Sequence, residues 1–315
     1  MEKDWSLNVL AKDRMMDKID SQGKILEIGP LNQPFFSKNE FDVYYADIKG
    51  TDEVKERYSY LNDESNIVSI DYVITDTYEN TFKDEGIKFD YVFLSHVLEH
   101  IPDPISFLLD ISTVLSANGK ICLLLPDKEF TFDHYRENSS FIDMFDMYVR
   151  GEKISTPRLM LDSMLCTTNE NKASSYWDKG AEKYPAPNVD VCIETYYNFI
   201  NDFDNQSFDG HYWVFTDRSF LNILENMLKV NLLPYKLVEF FPTPYYTNTF
   251  GLILELDLSI QENSEIRKSQ INDIHEIIKN ISKRRFEIEI KDIITENNDM
   301  KDILSKLKNI LNESE

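Results

Sequence analysis

Cysteine is scarce in these 315 residues: Cys122, Cys166 and Cys192 are the only three, and no two stand as Cys-x-x-Cys. Their odd number and wide spacing argue against a disulfide framework or a structural zinc site and suit a reducing compartment. Glycine is also sparse, at nine residues. Where a phosphate cradle would need Gly-x-Gly-x-x-Gly, the chain offers Gly29-Pro30-Leu31-Asn32-Gln33-Pro34, so a pyrophosphate is a poor ligand for it. No stretch approaches the roughly 18 apolar residues of a membrane span, and Met1-Glu2-Lys3-Asp4-Trp5 lacks the basic and apolar regions of a secretory leader. The expectation is a soluble, cytoplasmic protein with no membrane insertion. Basic residues are outnumbered, 33 against 56 acids, for a net charge of -23. A phosphate backbone is bound by clustered Lys and Arg, and the only basic cluster, Lys283-Arg284-Arg285, sits among acids. Nucleic acid is therefore not an expected partner.

What the chain does contain is a series of apolar strands that end in acids. Lys24-Ile25-Leu26-Glu27-Ile28-Gly29-Pro30 is the first, and Val43-Tyr44-Tyr45-Ala46-Asp47 the second, with Asp47 placed 18 residues after Gly29. In a doubly wound sheet the ligand lies beyond the carboxyl ends of the strands. A glycine after the first strand lets ligand and backbone approach closely, because no Cβ intervenes. An acid closing the second strand can accept both hydroxyls of a ribose. A later run, Phe89-Asp90-Tyr91-Val92-Phe93-Leu94-Ser95-His96-Val97-Leu98-Glu99-His100-Ile101-Pro102-Asp103-Pro104, is apolar where a central parallel strand is buried on both faces, and turns polar at its end.

This order resembles the class I S-adenosylmethionine-dependent methyltransferases, in their small-molecule branch, from about Gly23 to Asp127 and more loosely to Ser259. The resemblance implies an α/β fold with a doubly wound, seven-stranded, mostly parallel sheet. It implies S-adenosylmethionine as cofactor, lined by Glu27, Gly29, Pro30, Ser95 and His96, with Asp47 on the ribose. A third acid of the family faces the adenine after the third strand, and here either Asp71 or Asp76 fits. The cofactor carries an ammonium and a sulfonium in place of phosphates, which suits an acid such as Glu27 near the strand end.

The remaining pattern divides the chain into a cofactor-binding core (1–128), an acceptor-covering insertion (129–215), the C-terminal part of the sheet (216–259) and a long helix or coiled coil (260–315). Periodicity predicts a helix over Asn8 to Ile19, a brief one over Phe35 to Glu40, and another from Thr51. The third strand is expected from Asn66 to Ile74. Asp103-Pro104 opens a helix that Asn118-Gly119 ends, and Lys120 to Leu125 forms the fifth strand. Thr216 caps a helix, and strands near Tyr235 to Phe241 and Thr249 to Leu258 close the sheet. Ile271, Ile274, Ile278 and Ile281 recur at heptad spacing, and after one extra residue the frame resumes at Phe286, Ile290, Ile293, Asn297, Met300, Leu304, Leu307 and Leu311. That pattern suits a homo-oligomer held through a coiled coil with a skip.

Methyl transfer is an in-line displacement at a donor that is already reactive, so alignment carries much of the acceleration and a hydroxyl acceptor gains from a general base. Histidine has the appropriate pKa. His100, at the end of the fourth strand, is one candidate base. His134 is the other, beside Asp133 and followed by Arg136, a group suited to a polar or anionic acceptor. His211 stands where it could close over the site, and His275 lies on the coil. His96 and His100 share a helical i, i+4 spacing, but His-Val-Leu-Glu-His lacks the His-Glu-x-x-His order, and no metal is expected. Leu125-Pro126-Asp127-Lys128 and His211-Tyr212-Trp213 resemble methyltransferases of bacterial surface-polysaccharide biosynthesis. That resemblance implies a small-molecule or glycan acceptor methylated at oxygen. The alternatives are an N-methyltransferase, a non-catalytic scaffold that recruits a partner through its acidic coil, and a dinucleotide-dependent sugar-modifying enzyme, which the single glycine disfavours.

Overall fold

The computed structural model describes residues 11–59, 67–151, 156–168, 172–177, 189–201 and 210–296. Among them seven strands form one sheet: β1 (Lys24–Ile28), β2 (Asp42–Asp47), β3 (Tyr72–Val73), β4 (Phe89–Ser95), β5 (Leu115–Pro126), β6 (Tyr235–Phe241) and β7 (Thr249–Leu256). Their order is β3-β2-β1-β4-β5-β7-β6. All pairs from β3 to β5 are parallel, whereas β7 runs antiparallel to both β5 and β6. This is the doubly wound sheet of the Rossmann-like methyltransferase fold, with the reversed strand pair at one edge. The chain reverses its direction of travel between β1 and β4, which leaves a crevice beyond their carboxyl ends.

The central strands read as apolar runs because both their faces are covered. On one face Ala11 and Met15 of α1 (Ala11–Met16) join Phe36, Tyr45, Phe93, Cys122, Leu124 and Ile253 in a single core. Gly251 in β7 allows this packing. A Cβ there would lie 3.1 Å from both Met15 Cε and Leu124 Cδ2. On the other face α4 (Pro104–Val114) buries Ile105, Leu108 and Ile111, and the Leu108 carbonyl accepts from the Tyr235 hydroxyl at 2.7 Å. Asp103 caps α4 by accepting from Ser106 N, with Pro104 at the first helical position, as the sequence predicts.

Four expectations are corrected. The helix near the N-terminus ends at Met16, short of Ile19, and is described from Ala11, residues 8–10 lying outside the described set. No helix forms over Phe35 to Glu40: the Phe36 carbonyl, which would start the ladder, accepts instead from Tyr45 Oη, while the Phe35 and Phe36 N–H groups donate to the Glu27 carboxylate. The third strand shrinks to two residues: Val68 N donates to Leu31 O and Ile70 N to Thr51 Oγ1, which takes those donors away from the ladder. Asn118-Gly119 does not end α4. The helix stops at Val114, β5 starts at Leu115, and the register against β4 slips between Phe89 and Tyr91. Asn118 takes a left-handed φ of 60° in that bulge.

The helix α2 (Thr51–Arg57) starts one residue after Gly50, whose N–H donates to Glu53. A short helix, α3 (Tyr78–Phe82), follows β3. Between β5 and α9 (Asp217–Lys229) lie α5 (Phe141–Arg150), α6 (Pro157–Cys166), α7 (Ala173–Trp177) and α8 (Val189–Asn201). Thr216 and Ser219 cap α9 reciprocally. After β7 comes α10 (Ser259–Glu262) and then α11 (Ser264–Glu296). Two compact units result, Met1–Ile271 and Asn272–Glu315. In the second, Ile274, Ile278 and Ile281 are buried, while Asn297, Met300, Leu304, Leu307 and Leu311 of the expected seam lie outside the described residues. No described helix is long and apolar enough to cross a membrane.

Candidate active site

The crevice has two ends, and different chemistry lines each. At the first, β1 runs into Gly29, which takes a left-handed φ of 66°. A Cβ there would be strained by that φ and would lie 3.0 Å from Val97 Cγ2. A cleft of about 410 Å³ opens over it, lined by Glu27, Ile28, Gly29, Pro30, Leu31 and Ser95 among others. Glu27 is 3 % exposed, and its two oxygens accept from Phe35 N at 2.6 Å and Phe36 N at 3.1 Å. Burial nevertheless pushes its pKa up to about 7, against the lowering effect of those bonds. Its carboxyl thereby organises the loop that closes the cleft.

Asp47 ends β2, where its Oδ1 accepts from Lys49 N at 3.1 Å and partial burial raises its pKa. Asp71 and Asp76 are separated by their surroundings. Asp71 precedes β3 and is held by Lys38 Nζ and, at 2.8 Å, by Tyr45 N. Asp76 lies beyond the carboxyl end of β3 and accepts from Asn80 Nδ2.

At the second end, Ser95 closes β4 and His96 follows it. His96 has a left-handed φ of 53°, a costly geometry for a residue with a Cβ, and its N–H donates to Leu124 O. Its Nε2 lies 3.0 Å from Thr249 Oγ1, and a second cleft, of about 250 Å³, is lined by Ser95, His96, Leu124 and Thr247 to Thr249. Ser95 borders both clefts. Burial of the His96 ring, together with the neighbouring His211 and His100, holds its pKa down to about 4.

Behind His96 stands a buried cluster. Glu99 is fully buried, neither of its carboxylate oxygens has a hydrogen-bond partner by geometry among the described residues, and burial raises its pKa to about 7 against the lowering effect of His211 and of its own backbone N–H. Its Oε1 lies 3.6 Å from His96 Nδ1 and 3.9 Å from His211 Nε2. The Glu99 carbonyl accepts from Tyr212 N and Trp213 N, which clamps the segment carrying His211 against the turn after β4. His211 Nδ1 donates to Asp133 Oδ2 at 2.5 Å. Burial alone would lower the pKa of His211, but the bond to Asp133 and the charges of Asp133 and Glu99 outweigh it, and the net shift is upward. Asp133 is held below the usual carboxylate range, burial being outweighed by His211 and Arg136. His100 Nδ1 donates to Gly210 O at 3.1 Å, and its ring meets that of His211 edge on.

The sequence joins Asp133 with its neighbour His134, whereas the structure joins it with His211. The His134 ring stacks on Tyr176, and its Nδ1 donates to Glu129 O at 2.8 Å. Arg136 is not placed to receive an anionic acceptor. It is 1 % exposed, and its guanidinium donates to Asp133, Asp162 and the His211 carbonyl. Glu99 looks in the sequence like a brace for the following helix, and nothing there marks it as the unpartnered carboxylate. The signal for His211 is its setting in Gly210-His211-Tyr212-Trp213, a histidine among aromatic residues.

A family model described as a methyltransferase domain matches residues 9–227. The chain belongs to this methyltransferase family. It is an S-adenosylmethionine-dependent enzyme. No protein among those of curated function matches the sequence. Among solved structures, the methyltransferase is similar to an S-adenosylmethionine-dependent methyltransferase from Aquifex aeolicus, at 9% identity and a TM-score of 0.37, over 81% of this chain and 94% of that one. It is similar also to one from Mesorhizobium loti, at 10% identity and a TM-score of 0.38, over 79% of this chain and 99% of that one. Scores this low add nothing to the argument, and the assignment rests on the family match.

Proposed function

We propose that the methyltransferase binds S-adenosylmethionine in the cleft over Gly29 and transfers its methyl group to an oxygen of a small or glycan-linked acceptor, in surface-polysaccharide biosynthesis. The observation that carries this reading is that two clefts meet at Ser95, one organised by Glu27 and the other bordered by His96, Thr249 and a buried imidazole and carboxylate cluster. Gly29, Pro30 and Ser95 would face the methionine end of the cofactor, Asp47 the ribose and Asp76 the adenine. Asp71 is assigned to the fold, since Lys38 and the Tyr45 N–H already occupy it.

The acceptor then approaches from the second cleft, and the displacement gains from holding both reactants in line. The hydroxyl proton leaves toward the polar cluster, which contains His100 and Asp133 but not His134. Aromatic surface beside this cleft supports a sugar-like acceptor. Trp177 stacks flat on Phe130 at 3.8 Å and donates to Thr247 O, while Tyr245 and Tyr246 are exposed on the same loop. Ile274, Ile278 and Ile281 are already buried in the single chain, so self-association is proposed only on the heptad spacing that resumes at Phe286 in the sequence, in a protein at work in the cytoplasm.

The test is incubation with methyl-labelled S-adenosylmethionine and a panel of oligosaccharides, nucleotide sugars and small amines, with NMR assignment of the labelled methyl group. An O-methyl product from a saccharide is expected. Labelling confined to amines would replace this reading with N-methylation.

A further inference from the structure

We propose that Glu99, His100 and His211 form a binding site for one divalent transition-metal ion at the acceptor end of the crevice. Each residue offers a ligand atom, and these atoms lie within 4.8 Å of one another. Two donors on a tetrahedral ion stand about 3.4 Å apart, since each bond is about 2.1 Å. The 3.9 Å between Glu99 Oε1 and His211 Nε2 lies about half an ångström beyond that, and the widest separation must close by about 1.4 Å on binding.

The state of Glu99 is what points to a cation. A carboxylate buried without a single donor is costly, and native proteins seldom leave one so. His96 and His211 approach its Oε1 only at 3.6 and 3.9 Å, beyond hydrogen-bond reach. A bound cation would compensate the lone pairs that these contacts leave unanswered.

The two imidazoles are prepared in the manner of metal ligands. Metal-binding histidines donate their second N–H to a carboxylate or a backbone carbonyl, which fixes the tautomer and the ring orientation. His211 donates its Nδ1–H to Asp133, which Arg136 in turn holds at 2.9 Å. His100 donates its Nδ1–H to the Gly210 carbonyl. His211 thereby directs Nε2 toward Glu99, and the backbone bonds from Tyr212 and Trp213 to the Glu99 carbonyl keep the two at this separation. The sequence leads to the expectation of no metal anywhere in the chain, and this proposal departs from it because the pairing of distant segments is not visible there. In the structure His96 turns its Nε2 to Thr249, and His211 from a distant segment takes its place.

A donor set of two imidazoles and one carboxylate suits manganese, iron, cobalt, nickel or zinc in the divalent state and disfavours calcium and magnesium, which take oxygen. His100 is the least buried of the three, so an ion and its further ligand would reach the site from the His100 side. There an ion would orient a ligand oxygen. The proposal needs only this geometry and stands whether or not the acceptor is a hydroxyl.

The test is titration of the full-length, chelator-treated protein with cobalt(II), read by visible absorption, with zinc competition followed by calorimetry. One equivalent of cobalt is expected to give ligand-field bands that zinc abolishes. Glu99→Gln and His100→Ala should each weaken binding by a hundredfold or more. Asp133→Asn should weaken it by about 10- to 100-fold through the orientation of His211, and His134→Ala should leave it unchanged. Circular dichroism and S-adenosylmethionine binding check that each variant is folded, and His100→Ala, on the open side, serves if Glu99→Gln is not. No saturable cobalt binding to the unsubstituted protein would overturn the proposal and leave the cluster as a proton-sharing group. Binding that survives both Glu99→Gln and His100→Ala would overturn it equally, by placing the ion elsewhere.

Discussion

Glu27 and Glu99 stand at the two ends of one crevice, both nearly or wholly buried and both with pKa values raised to about 7 by that burial. Their surroundings differ completely. Glu27 accepts two backbone N–H groups and so holds a loop, while Glu99 accepts none. A buried acid with satisfied oxygens contributes to the fold, and one with unsatisfied oxygens burdens it. Within the cluster behind His96 the other polar groups are paired, His211 with Asp133 and Asp133 with Arg136, so Glu99 is the exception among its own neighbours.

The comparison breaks most visibly at Asp133, which links the acceptor cluster to the fold. Asp133→Ala leaves Arg136 buried without its partner and frees His211, and should cost about 3 to 5 kcal/mol in urea denaturation. Glu27→Ala strips the acceptor from two buried N–H groups and should cost about 2 to 5 kcal/mol, with loss of S-adenosylmethionine binding by calorimetry. Glu99→Gln should have the opposite sign. Removing an uncompensated charge is expected to leave stability unchanged or raise it by about 1 to 3 kcal/mol at pH 8, while methyl transfer falls. If Glu99→Gln instead destabilised the protein as Glu27→Ala does, the distinction between the two acids would be lost.

A pH dependence sharpens the same point. Glu27 has a folded pKa near 7, above its unfolded value, so its contribution to stability is complete below about pH 4.5 and is lost as pH rises through about 7. The stability difference between Glu27→Gln and the unsubstituted protein should therefore shift in favour of the variant between pH 5 and pH 8, as read from paired denaturation curves. The smallest effect is expected at the third acid. Asp76→Ala should weaken S-adenosylmethionine binding about tenfold, roughly 1.4 kcal/mol, whereas Asp71→Ala should leave affinity intact and lower stability slightly.

The strand ends that line the cleft over Gly29 were legible in the sequence because their signals are local. Glu27, Gly29 and Asp47 sit at the ends of apolar strands, and the helix after Asp103 announces itself by a cap and a proline. Thr216 with Ser219, and the strand pair after Tyr235, are local in the same sense. The acceptor end depends on pairings between distant segments. Nothing near Asp133 indicates that His211 rather than His134 is its partner, because that choice is made by backbone bonds from Tyr212 and Trp213 to Glu99. The absent helix over Phe35 to Glu40 fails for a related reason: the Phe36 carbonyl that would start it is held by Tyr45 of β2. At Asn118-Gly119 a turn signal was present, and it marks a bulge within β5 instead of a helix end.

The position of β7 has a consequence for how the chain is made. It inserts between β5 and β6, although both precede it in the sequence. While the ribosome adds everything from Asp127 to Asn248, the outer edge of β5 stands unpaired, and its residues Ile121 to Leu125, at most 3 % exposed once folded, have no cover on that side. Bare apolar strand edges associate with one another. A chain that stops before Thr249 therefore leaves the β5 edge bare and prone to association.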